Sequence, residues 1–247
     1  MDRLEKIISL VSQHQKIDVN TLSDKLQVSK VTIRKDLDKL ESRGLLHREH
    51  GYAVLNSGDD LNVRLSVNHS IKKKIAETAA DLISDNETIM IESGSTCALL
   101  AECICQTKRN VTIVTNSCFI ANYVRPYDSC QVVLLGGEYQ STSQVTVGPL
   151  LKQMIKRFHV QKAFIGTDGF DIDFGFMGRD LMRCEVAQYM AEASDELIIL
   201  TDASKFSQKS LVEQVELDQV SQVITDHQIL EDKQQFLTQN HIKVTVI

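Results

Sequence analysis

The sequence has no apolar run near the roughly 18 residues that a membrane-spanning helix requires, and no charged-then-apolar leader follows Met1. We therefore expect neither a membrane span nor secretion, and we expect a cytoplasmic protein. The chain also lacks an excess of positive charge, because its formal net charge is −6. With 43% apolar and 24% charged residues over 247 positions, the composition is that of an ordinary globular protein, long enough for a small domain and a larger one.

Cysteine pairs with the spacing of a zinc or redox site are absent as well. Cys103 and Cys105 are separated by one residue and not by the two of a CxxC motif. The six cysteines are Cys97, Cys103, Cys105, Cys118, Cys130 and Cys184. Thiols stay reduced in the cytosol, so we interpret all six as buried or half-buried small hydrophobic residues. We expect no bound metal and no cofactor.

Positive charge is concentrated in one stretch near the amino end of this acidic chain. The cationic residues there are Lys25, Lys30, Arg34, Lys35, Lys39, Arg43 and Arg48. A local basic patch is enough to meet phosphate groups while the acidic remainder faces away from them. Asp36, Asp38 and Glu41 are interspersed among these cations, so a solvated helix face is the alternative interpretation of the charges alone.

Residues 18–51 read as a short helix, a tight turn, a second helix and the start of a β-hairpin. In the second helix, Ile33, Leu37 and Leu40 recur at helical spacing and predict one buried side. Ser29 precedes this helix, where its hydroxyl can accept a hydrogen bond from an unpaired backbone N–H. The pattern therefore predicts a helix-turn-helix followed by a wing.

The other side of the second helix carries hydroxyl and cationic side chains. Thr32, Lys35 and Lys39 project from it, with Arg34 on its flank. A three-turn helix with an apolar back and a cationic front fits a major groove, which is about 12 Å wide. This helix is the candidate for reading duplex DNA.

The stretch VSKVTIRKDLDKLESRGLLHREHG, residues 28–51, resembles the helix-turn-helix of the DeoR family of bacterial transcription regulators. That family's pattern is close to VS-x-x-TIR-x-DL-x-x-LE-x-x-G-x-L-x-R-x-HGG. The matching positions are Val28, Ser29, Thr32, Ile33, Arg34, Asp36, Leu37, Leu40, Glu41, Gly44, Leu46, Arg48, His50 and Gly51. Tyr52 stands where the second glycine is usual.

The resemblance implies operator DNA as a partner and a repressor role. Arg34 would pair with a guanine edge, whereas Lys30, Lys35 and Arg48 would take phosphates. The predicted DNA-binding residues are Ser29, Lys30, Thr32, Arg34, Lys35 and Arg48.

From residue 87 onward, short apolar segments alternate with helical ones, which predicts an α/β fold with a mainly parallel sheet. The predicted strands are residues 88–91, 111–115, 132–135, 162–165, 197–201, 222–224 and 243–247. The predicted helices are residues 96–106, 118–124, 147–156, 180–193 and 230–237. A further helix at 67–83 carries Lys72, Lys73 and Lys74 on its exposed part.

Five successive predicted strands end in glycine, hydroxyl, amide or charged residues. Ligands of parallel sheets bind beyond the carboxyl ends of the strands, so these loops are candidates for a phosphate-binding site. Taken singly, each loop is an ordinary turn, and only their recurrence is informative. The candidate residues are Ser93, Gly94, Ser95, Thr96, Asn116, Ser117, Gly136, Gly137, Gly166, Asp168, Gly169 and Lys205.

The same loops resemble the sensor domain of the DeoR family, which belongs with the ribose-5-phosphate isomerase and CoA-transferase type folds. Glu92 replaces the more usual aspartate of the first loop, and residues 175–186 differ from the family's common Asn-Glu pattern. The resemblance implies a phosphorylated sugar or polyol as effector and a homodimer or homotetramer. We expect a winged helix-turn-helix at residues 1–56, a linker at 57–66 and an effector-sensing domain at 67–247.

Two other functions are compatible with parts of the sequence. An isomerase-like enzyme would use Asp168 as base and Lys205 as electrostatic partner. These loops contain no histidine and no nucleophile paired with an evident base, which disfavours catalysis. A purely architectural DNA binder is disfavoured because about 60 residues would suffice for DNA contact alone.

Overall fold

The computed structural model describes residues 3–14, 16–42, 46–55 and 61–247. The chain divides into two compact units, Met1–Ser70 and Ile71–Ile247. Each unit contains a cluster of buried hydrophobic residues. In the described ranges, no helix is both long and apolar enough to cross a membrane.

The first unit combines helices with a small antiparallel sheet. Its helices are α1 (Arg3–His14), α2 (Val19–Leu26), α3 (Lys30–Ser42) and α4 (Leu61–Ser66), and its strands are β1 (Lys16–Asp18), β2 (Leu46–Glu49) and β3 (Tyr52–Leu55). The strand order is β1-β3-β2. Ile33, Leu37 and Leu40 are at most 1% exposed, so the predicted buried side of α3 is confirmed. Asp36 lies on the same side and is 2% exposed, which makes the solvated-face interpretation wrong for this residue.

Strands β2 and β3 form the predicted hairpin, and its tip is His50-Gly51. Both tip residues have positive φ, 50° for His50 and 88° for Gly51. Two successive positive φ values define a type I′ turn, whose twist matches that of the flanking strands. Tyr52 is the first residue of β3 and pairs with Glu49 and Asp18, so the strand accommodates a side chain at this position.

The predicted linker at 57–66 is only partly within the described residues, because 57–60 lie outside them. The remainder forms α4, in which Leu61, Val63 and Leu65 are buried and which contacts α1. Residues 61–66 are therefore helical and packed, whereas we expected a linker. Gly44, a matching position of the family pattern where we expect a glycine to end the second helix, also lies outside the described residues.

Helix α5 (His69–Ala80) corresponds to the helix predicted at 67–83. Lys73 and Lys74 are exposed as expected. Lys72 is only 6% exposed, so the prediction of an exposed triplet is wrong for this residue. The reason is helical geometry, since Lys72 lies three and four residues before the buried Ile75 and Ala76 and shares their face.

The second unit is built on a seven-stranded sheet in which every pairing is parallel. The remaining strands of the chain are β4 (Thr88–Ile91), β5 (Val111–Thr115), β6 (Cys130–Leu134), β7 (Glu138–Gln140), β8 (Val145–Val147), β9 (Val160–Ile165), β10 (Gly169–Asp171), β11 (Gly175–Gly178), β12 (Ser194–Leu200), β13 (Val212–Val215), β14 (Val220–Thr225) and β15 (Lys243–Val246). The remaining helices are α6 (Ser95–Thr107), α7 (Cys118–Tyr123), α8 (Pro149–Ile155), α9 (Leu181–Glu192) and α10 (Glu231–Gln239). The order of the large sheet is β15-β14-β12-β9-β4-β5-β6. Its members are the seven strands that the sequence predicted, so the α/β fold with a mainly parallel sheet is confirmed.

Two smaller antiparallel sheets were not predicted. One is the β7-β8 hairpin, and the other has the order β10-β11-β13. The helix predicted at 147–156 begins only at Pro149. Val147 still belongs to β8, where it pairs with Glu138, and Gly148, whose φ is 93°, separates this strand from the helix. Since β10 begins shortly after β9 ends, the second small sheet continues from the carboxyl edge of the large one.

The direction of strand order reverses between β4 and β9. Strands β5 and β6 extend the sheet on one side of β4, and β9, β12, β14 and β15 extend it on the other. In open α/β sheets, ligands bind outside the carboxyl ends of the strands at such a switch point. The loops that follow β4 and β9 are therefore the first place to look for a ligand site.

Candidate functional site

The start of α3 presents a compact set of polar side chains. The Ser29 hydroxyl accepts a hydrogen bond from the Thr32 backbone N–H at 3.1 Å and lies 2.9 Å from the Thr32 hydroxyl, so the predicted N-cap is confirmed. Lys30, Arg34 and Lys35 are exposed beyond this cap. Recognition helices contact base edges with their amino-terminal residues, and this end of α3 offers both cations and hydroxyls.

Val31 also belongs to this surface and was missed in the sequence. It is 60% exposed, although the apolar side chains of α3 on the opposite side are fully buried. An exposed apolar residue among cations can contact the methyl group of a thymine in the major groove. The signal was present in the spacing, because position 31 falls opposite the Ile33, Leu37 and Leu40 stripe.

Arg48 is bound to α3 and does not extend freely from the wing. Its guanidinium lies 2.7 Å from Asp38 Oδ1 and 3.0 Å from Glu41 Oε2, and its backbone N–H donates to Glu41 Oε1 at 2.9 Å. These bonds hold the pKa of the Glu41 carboxyl below its usual range. Arg48 thus links β2 to α3 and neutralises two carboxylates of that helix. These bonds compete with the phosphate contact that we expected of Arg48, which stays a prediction.

The loops singled out in the sequence lie along one continuous edge of the large sheet. They follow β4, β5, β6, β9 and β12, and these strands are adjacent in the order β12-β9-β4-β5-β6. Because all five strands are parallel, their carboxyl ends meet at the same edge. The structure therefore brings the predicted effector-binding loops side by side.

Gly94 and Gly166 face each other across the switch point. A Cβ placed on Gly94 would lie 3.4 Å from the Gly166 Cα, and one placed on Gly166 would lie 3.5 Å from the Gly94 Cα. The Glu92 N–H also donates to the Phe164 carbonyl at 2.9 Å, which ties the two loops together. Both glycines are buried, and their approach places the backbone of the β9 loop directly against the start of α6.

Helix α6 begins at this point without a side-chain cap. Gly94 is its N-cap residue and makes no side-chain cap hydrogen bond. Ser95 and Thr96, in the first turn, are each 5% exposed. Ser93 donates its hydroxyl to Glu92 Oε1, so this hydroxyl is engaged within the loop. An uncapped helix start with two hydroxyls is a ready anion-binding arrangement.

The loop after β5 is held mainly by its own hydrogen bonds. Ser117 caps α7 by accepting from the Ile120 N–H at 3.1 Å, and the Ser117 N–H donates to Thr115 Oγ1 at the same distance. Asn116 donates from Nδ2 to the Thr146 carbonyl at 3.0 Å. Asn116 Oδ1 is buried and has no hydrogen-bond partner among the described residues. Of this pair, only Asn116 retains an unused polar atom.

Several predicted glycines are explained by close packing of the backbone. A Cβ on Gly137 would lie 2.5 Å from the Val147 carbonyl oxygen, and one on Gly169 would lie 2.5 Å from that of Gln208. The Gly136 N–H donates to Met154 Sδ at 3.3 Å. Close packing therefore accounts for Gly137 and Gly169, whereas an added Cβ on Gly136 would make only an ordinary contact with Met154 Sδ at 3.6 Å. We leave Gly137 and Gly169 out of the ligand site proposed below, together with Gly136, whose N–H is engaged by Met154.

Asp168 and Lys205 lie in the segments that follow β9 and β12, the two neighbouring strands at one side of the switch point. Asp168 Oδ2 accepts a hydrogen bond from the Arg179 backbone N–H at 3.3 Å. Lys205 is half-buried in the short 3₁₀ helix Ala203–Ser207, which follows β12. Asp202 caps that helix through the Ser204 N–H at 3.2 Å. This capping hydrogen bond helps to hold the short helix that carries Lys205 at the end of β12.

Cys184 adds a thiol to the negatively charged side of this edge. A Cβ on Gly178 would lie 2.5 Å from Cys184 Sγ, so α9 packs directly against the end of β11. Burial, followed by the negative charges of Glu92 and Asp168, raises the pKa of Cys184 to about 12. The Cys184 thiol therefore lies close enough to the β4 and β9 loops for the carboxylates of Glu92 and Asp168 to raise its pKa, and it stays protonated at neutral pH.

The geometry so far defines a winged helix-turn-helix unit followed by an α/β unit with a candidate ligand site at the switch point of its sheet. Residues 3–58 match the DeoR-like helix-turn-helix domain, and residues 67–227 match the DeoR C-terminal sensor domain. The second match spans more than half of the chain. This protein belongs to the DeoR family of DNA-binding transcriptional regulators.

Individual relatives agree with this assignment along nearly their whole length. The L-fucose operon activator of Haemophilus influenzae is 30% identical over 97% of this chain and 97% of its own. The transcriptional repressor AccR of Agrobacterium fabrum is 31% identical over 91% of this chain and 89% of its own. The lactose phosphotransferase system repressor of Staphylococcus epidermidis is 31% identical over 94% of both chains.

Among solved structures, ribose 5-phosphate isomerase A from Neisseria gonorrhoeae is similar over 55% of this chain and 52% of its own. The TM-score is 0.41 and the sequence identity is 20%, a likeness too low to bear on function.

Proposed function

We propose that this protein represses a carbohydrate-utilisation operon by binding its operator, and that a phosphorylated sugar or polyol bound at the switch point controls this binding. The observation that carries the proposal is the approach of Gly94 to Gly166, which brings the backbone of the β9 loop against the start of α6, a helix start without a side-chain cap. Relatives named for fucose and lactose systems support a carbohydrate effector. Those relatives include an activator and repressors, so the sign of regulation rests on the commoner repressor role.

DNA would be read by the amino-terminal half of α3. Arg34 would pair with a guanine edge, which contributes about 1–3 kcal/mol of discrimination. Lys30 and Lys35 would neutralise phosphates, and Val31 would contact a thymine methyl group. The Ser29 and Thr32 hydroxyls lie at the same end of the helix and would hydrogen-bond to the backbone of the DNA. Arg48 would act indirectly by keeping the wing in place.

The effector phosphate would bind at the first turn of α6. Backbone N–H groups there, together with Ser95 and Thr96, offer hydrogen-bond donors. The helix dipole adds about 0.3–1 kcal/mol at an exposed helix start and more at a buried one such as this. Lys205 would supply the countercharge from the strand beyond β9. Asp168 and Asn116 would contact the remainder of the sugar, because both lie at the same sheet edge.

The proposal includes a homodimer or homotetramer, since two helix-turn-helix units would read two half-sites about one DNA turn apart. The connection at residues 57–66, of which 61–66 form α4, would transmit the effector signal. A shift from mostly bound to mostly free DNA requires an effector that prefers one arrangement by about 5 kcal/mol.

We further propose that the second unit binds its ligand without turnover. Asp168 is the best candidate for a base, but its Oδ2 accepts the Arg179 N–H, which favours a fixed carboxylate. Incubation with pentose and hexose phosphates, followed by NMR, tests this point. Conversion of any of them to an isomer would support the enzyme alternative.

The regulatory proposal is tested with two variants that should have opposite effects. Duplexes are first selected from a random-sequence pool by the protein itself, and their affinity is then measured by fluorescence anisotropy with and without phosphosugars. Arg34→Ala should lose DNA affinity and keep the ligand-induced thermal shift. Lys205→Ala should keep DNA affinity and lose that thermal shift.

Lys74→Ala and Lys156→Ala are the matched controls, because both remove an exposed lysine outside the proposed sites. Each control should behave as the parent in both assays. A Lys205→Ala protein that responds to ligand like the parent would show that the pocket is misplaced. Failure of the parent to bind any duplex at low salt would overturn the regulatory proposal itself.

A further inference from the structure

Gln214 occupies a β-bulge in a strand that the sequence did not predict. In the pairing of β11 with β13, Phe176 lies opposite Val215 and Met177 opposite Glu213, so Gln214 is the extra residue. Gln214 is 6% exposed and the next residue, Val215, is fully buried, whereas side chains of a regular strand alternate between faces. Bulges of this kind redirect a side chain and are common beside functional sites.

The bulge brings the Gln214 amide to the switch point. Gln214 Nε2 donates a hydrogen bond to the Gly166 carbonyl at 2.9 Å. A carbonyl oxygen can only accept, so the amide nitrogen must be the group that meets Gly166, and the orientation of the amide is determined. Gly166 in turn lies against Gly94, the N-cap residue of α6. The Gln214 amide therefore contacts Gly166, and Gly166 contacts the N-cap residue of the helix start where we propose that the phosphate binds.

The other end of this amide is unsatisfied. Gln214 Oε1 is buried and has no hydrogen-bond partner among the described residues. A buried acceptor without a donor costs about 1–3 kcal/mol, and native proteins keep few of them. The bulge and the unsatisfied oxygen thus occur in the same residue, next to the one helix start that the site is built around.

Asn116 repeats this arrangement at the end of β5, the strand on the other side of β4. Its Nδ2 is engaged by the Thr146 carbonyl, which leaves Oδ1 buried and without a partner in the described part of the chain. The start of α6 and Lys205 offer donors and positive charge, which suit a phosphate. The two amide oxygens offer only acceptors, which suit hydroxyl groups and not an anion.

We propose that Gln214 is a specificity-determining residue of the effector site and that its Oε1 accepts a hydrogen bond from a hydroxyl group of the bound sugar or polyol phosphate. This inference rests on the proposed function and narrows it. The effector class is one with a free hydroxyl within reach of the phosphate-bearing end, and analogues that lack this hydroxyl leave Oε1 unpaired. A site built to bond a hydroxyl rejects such analogues strongly.

The test compares hydroxylated ligands with their deoxy analogues. Ribose 5-phosphate and glucose 6-phosphate are each paired with analogues deoxygenated at one position at a time, and inorganic phosphate serves as the ligand without carbon. Dissociation constants are measured by calorimetry on the full-length parent, on Gln214→Met and on Gln222→Met. Gln222 is the matched control, because it is also 6% exposed and donates from Nε2, to Thr245 Oγ1, in strand β14.

We expect at least one deoxy position to weaken binding to the parent by roughly ten- to a hundredfold, the range of one lost hydrogen bond to a buried acceptor. Gln214→Met should bring that ratio close to one, and Gln222→Met should keep it. Inorganic phosphate should bind all three proteins equally.

Three results separate the inference from the function beneath it. A discrimination ratio that survives in Gln214→Met overturns the role of Gln214 and leaves the phosphate site standing. A parent that binds every deoxy analogue as well as the hydroxylated ligand overturns the inference without any variant, which covers the case in which Gln214→Met does not fold. A parent that binds neither phosphosugars nor inorganic phosphate overturns the proposed function itself.

Discussion

Arg3 and Asp36 form a two-bond ion pair that joins α1 to the buried side of α3. Arg3 Nε lies 2.6 Å from Asp36 Oδ2, and Arg3 Nη2 lies 3.2 Å from Asp36 Oδ1. The Asp36 side chain is 3% exposed and that of Arg3 is 45% exposed. The planar guanidinium matches both carboxylate oxygens, so the pair holds α3 in one orientation relative to α1.

The first prediction concerns the stability of this pair. Arg3→Met should destabilise the first unit by about 3 kcal/mol, because it leaves the Asp36 carboxylate buried without its partner. The double variant Arg3→Met/Asp36→Leu should recover most of this loss, since apolar pairs often replace buried ion pairs without cost. Hydrogen exchange of the α3 amides, followed by mass spectrometry, measures the first unit separately.

Lys16→Met is the control for this experiment. The Lys16–Glu49 ion pair has the same charge types at 3.0 Å, but its side chains are 45% and 49% exposed. Exposed pairs contribute about 0–1 kcal/mol, so α3 protection should hardly change in this variant. Equal losses in Lys16→Met and Arg3→Met would show that burial of Asp36 does not matter.

Asp36 also shows where sequence reasoning succeeded and failed in the first unit. The apolar stripe of α3 was predictable from spacing alone, and position 36 falls inside that stripe. The solvated face that was the alternative interpretation of its charge does not hold for Asp36, because position 36 is buried with the stripe. The partner, Arg3, is 33 residues away in the chain, and no local pattern announces such a pair.

In the second unit, the central parallel strands were predictable because each contains an apolar run that is buried, as in β4, β9, β12 and β14. The edge strands β6 and β15 have no buried residue, and their short β-branched segments predicted them. The β10-β11-β13 sheet was not, because its segments GFD, GFMG and VEQV are short and rich in glycine or polar residues. Gln214 was missed for the same reason. The loops of the site follow from strand ends, whereas a residue delivered by a bulge in an unpredicted strand does not.

The second prediction concerns salt dependence of DNA binding. Lys30→Ala and Lys35→Ala should each reduce the log–log slope of affinity against salt by about 0.9, the value for one neutralised phosphate. Arg48→Ala should weaken binding with little change in slope, because its guanidinium is bound to Asp38 and Glu41. A slope change of about 0.9 for Arg48→Ala would instead indicate a direct phosphate contact.

The third prediction concerns the close approach of Gly166 to Gly94. Gly166→Ala should fold normally, because the added Cβ would meet the Gly94 Cα at 3.5 Å and the Leu200 oxygen at 4.0 Å, which are ordinary contacts. The methyl group would nevertheless lie against Gly94, the N-cap residue of α6, where we propose that the phosphate binds. We expect the thermal shift induced by phosphosugars to disappear while the melting temperature without ligand stays unchanged.

A retained ligand shift in Gly166→Ala would place the ligand elsewhere on the sheet edge. Gly136→Ala is the comparison, since its added Cβ would meet only Met154 Sδ at 3.6 Å and it lies outside the proposed site. This variant should respond to ligand as the parent does. Loss of the ligand response in both variants would indicate a general disturbance of the carboxyl edge of the sheet and not a specific effect of the methyl group against Gly94.

The fourth prediction follows from the raised pKa of Cys184, which is about 12 because of burial and the nearby Glu92 and Asp168 charges. The pKa of a thiol in an unfolded chain is about 8.5. At a pH between this value and the folded-state pKa, the folded state keeps a proton that the unfolded state has lost. The contribution of the Cys184 thiol to the free energy of unfolding is therefore fully present below the unfolded-state pKa, and it is lost as the pH rises towards the folded-state pKa. Cys184→Ala should lose less stability than the parent between about pH 8 and pH 10, measured by urea unfolding midpoints. Iodoacetamide at neutral pH should label Cys184 only after unfolding, and labelling of the folded parent at the unfolded rate would contradict the buried, protonated thiol.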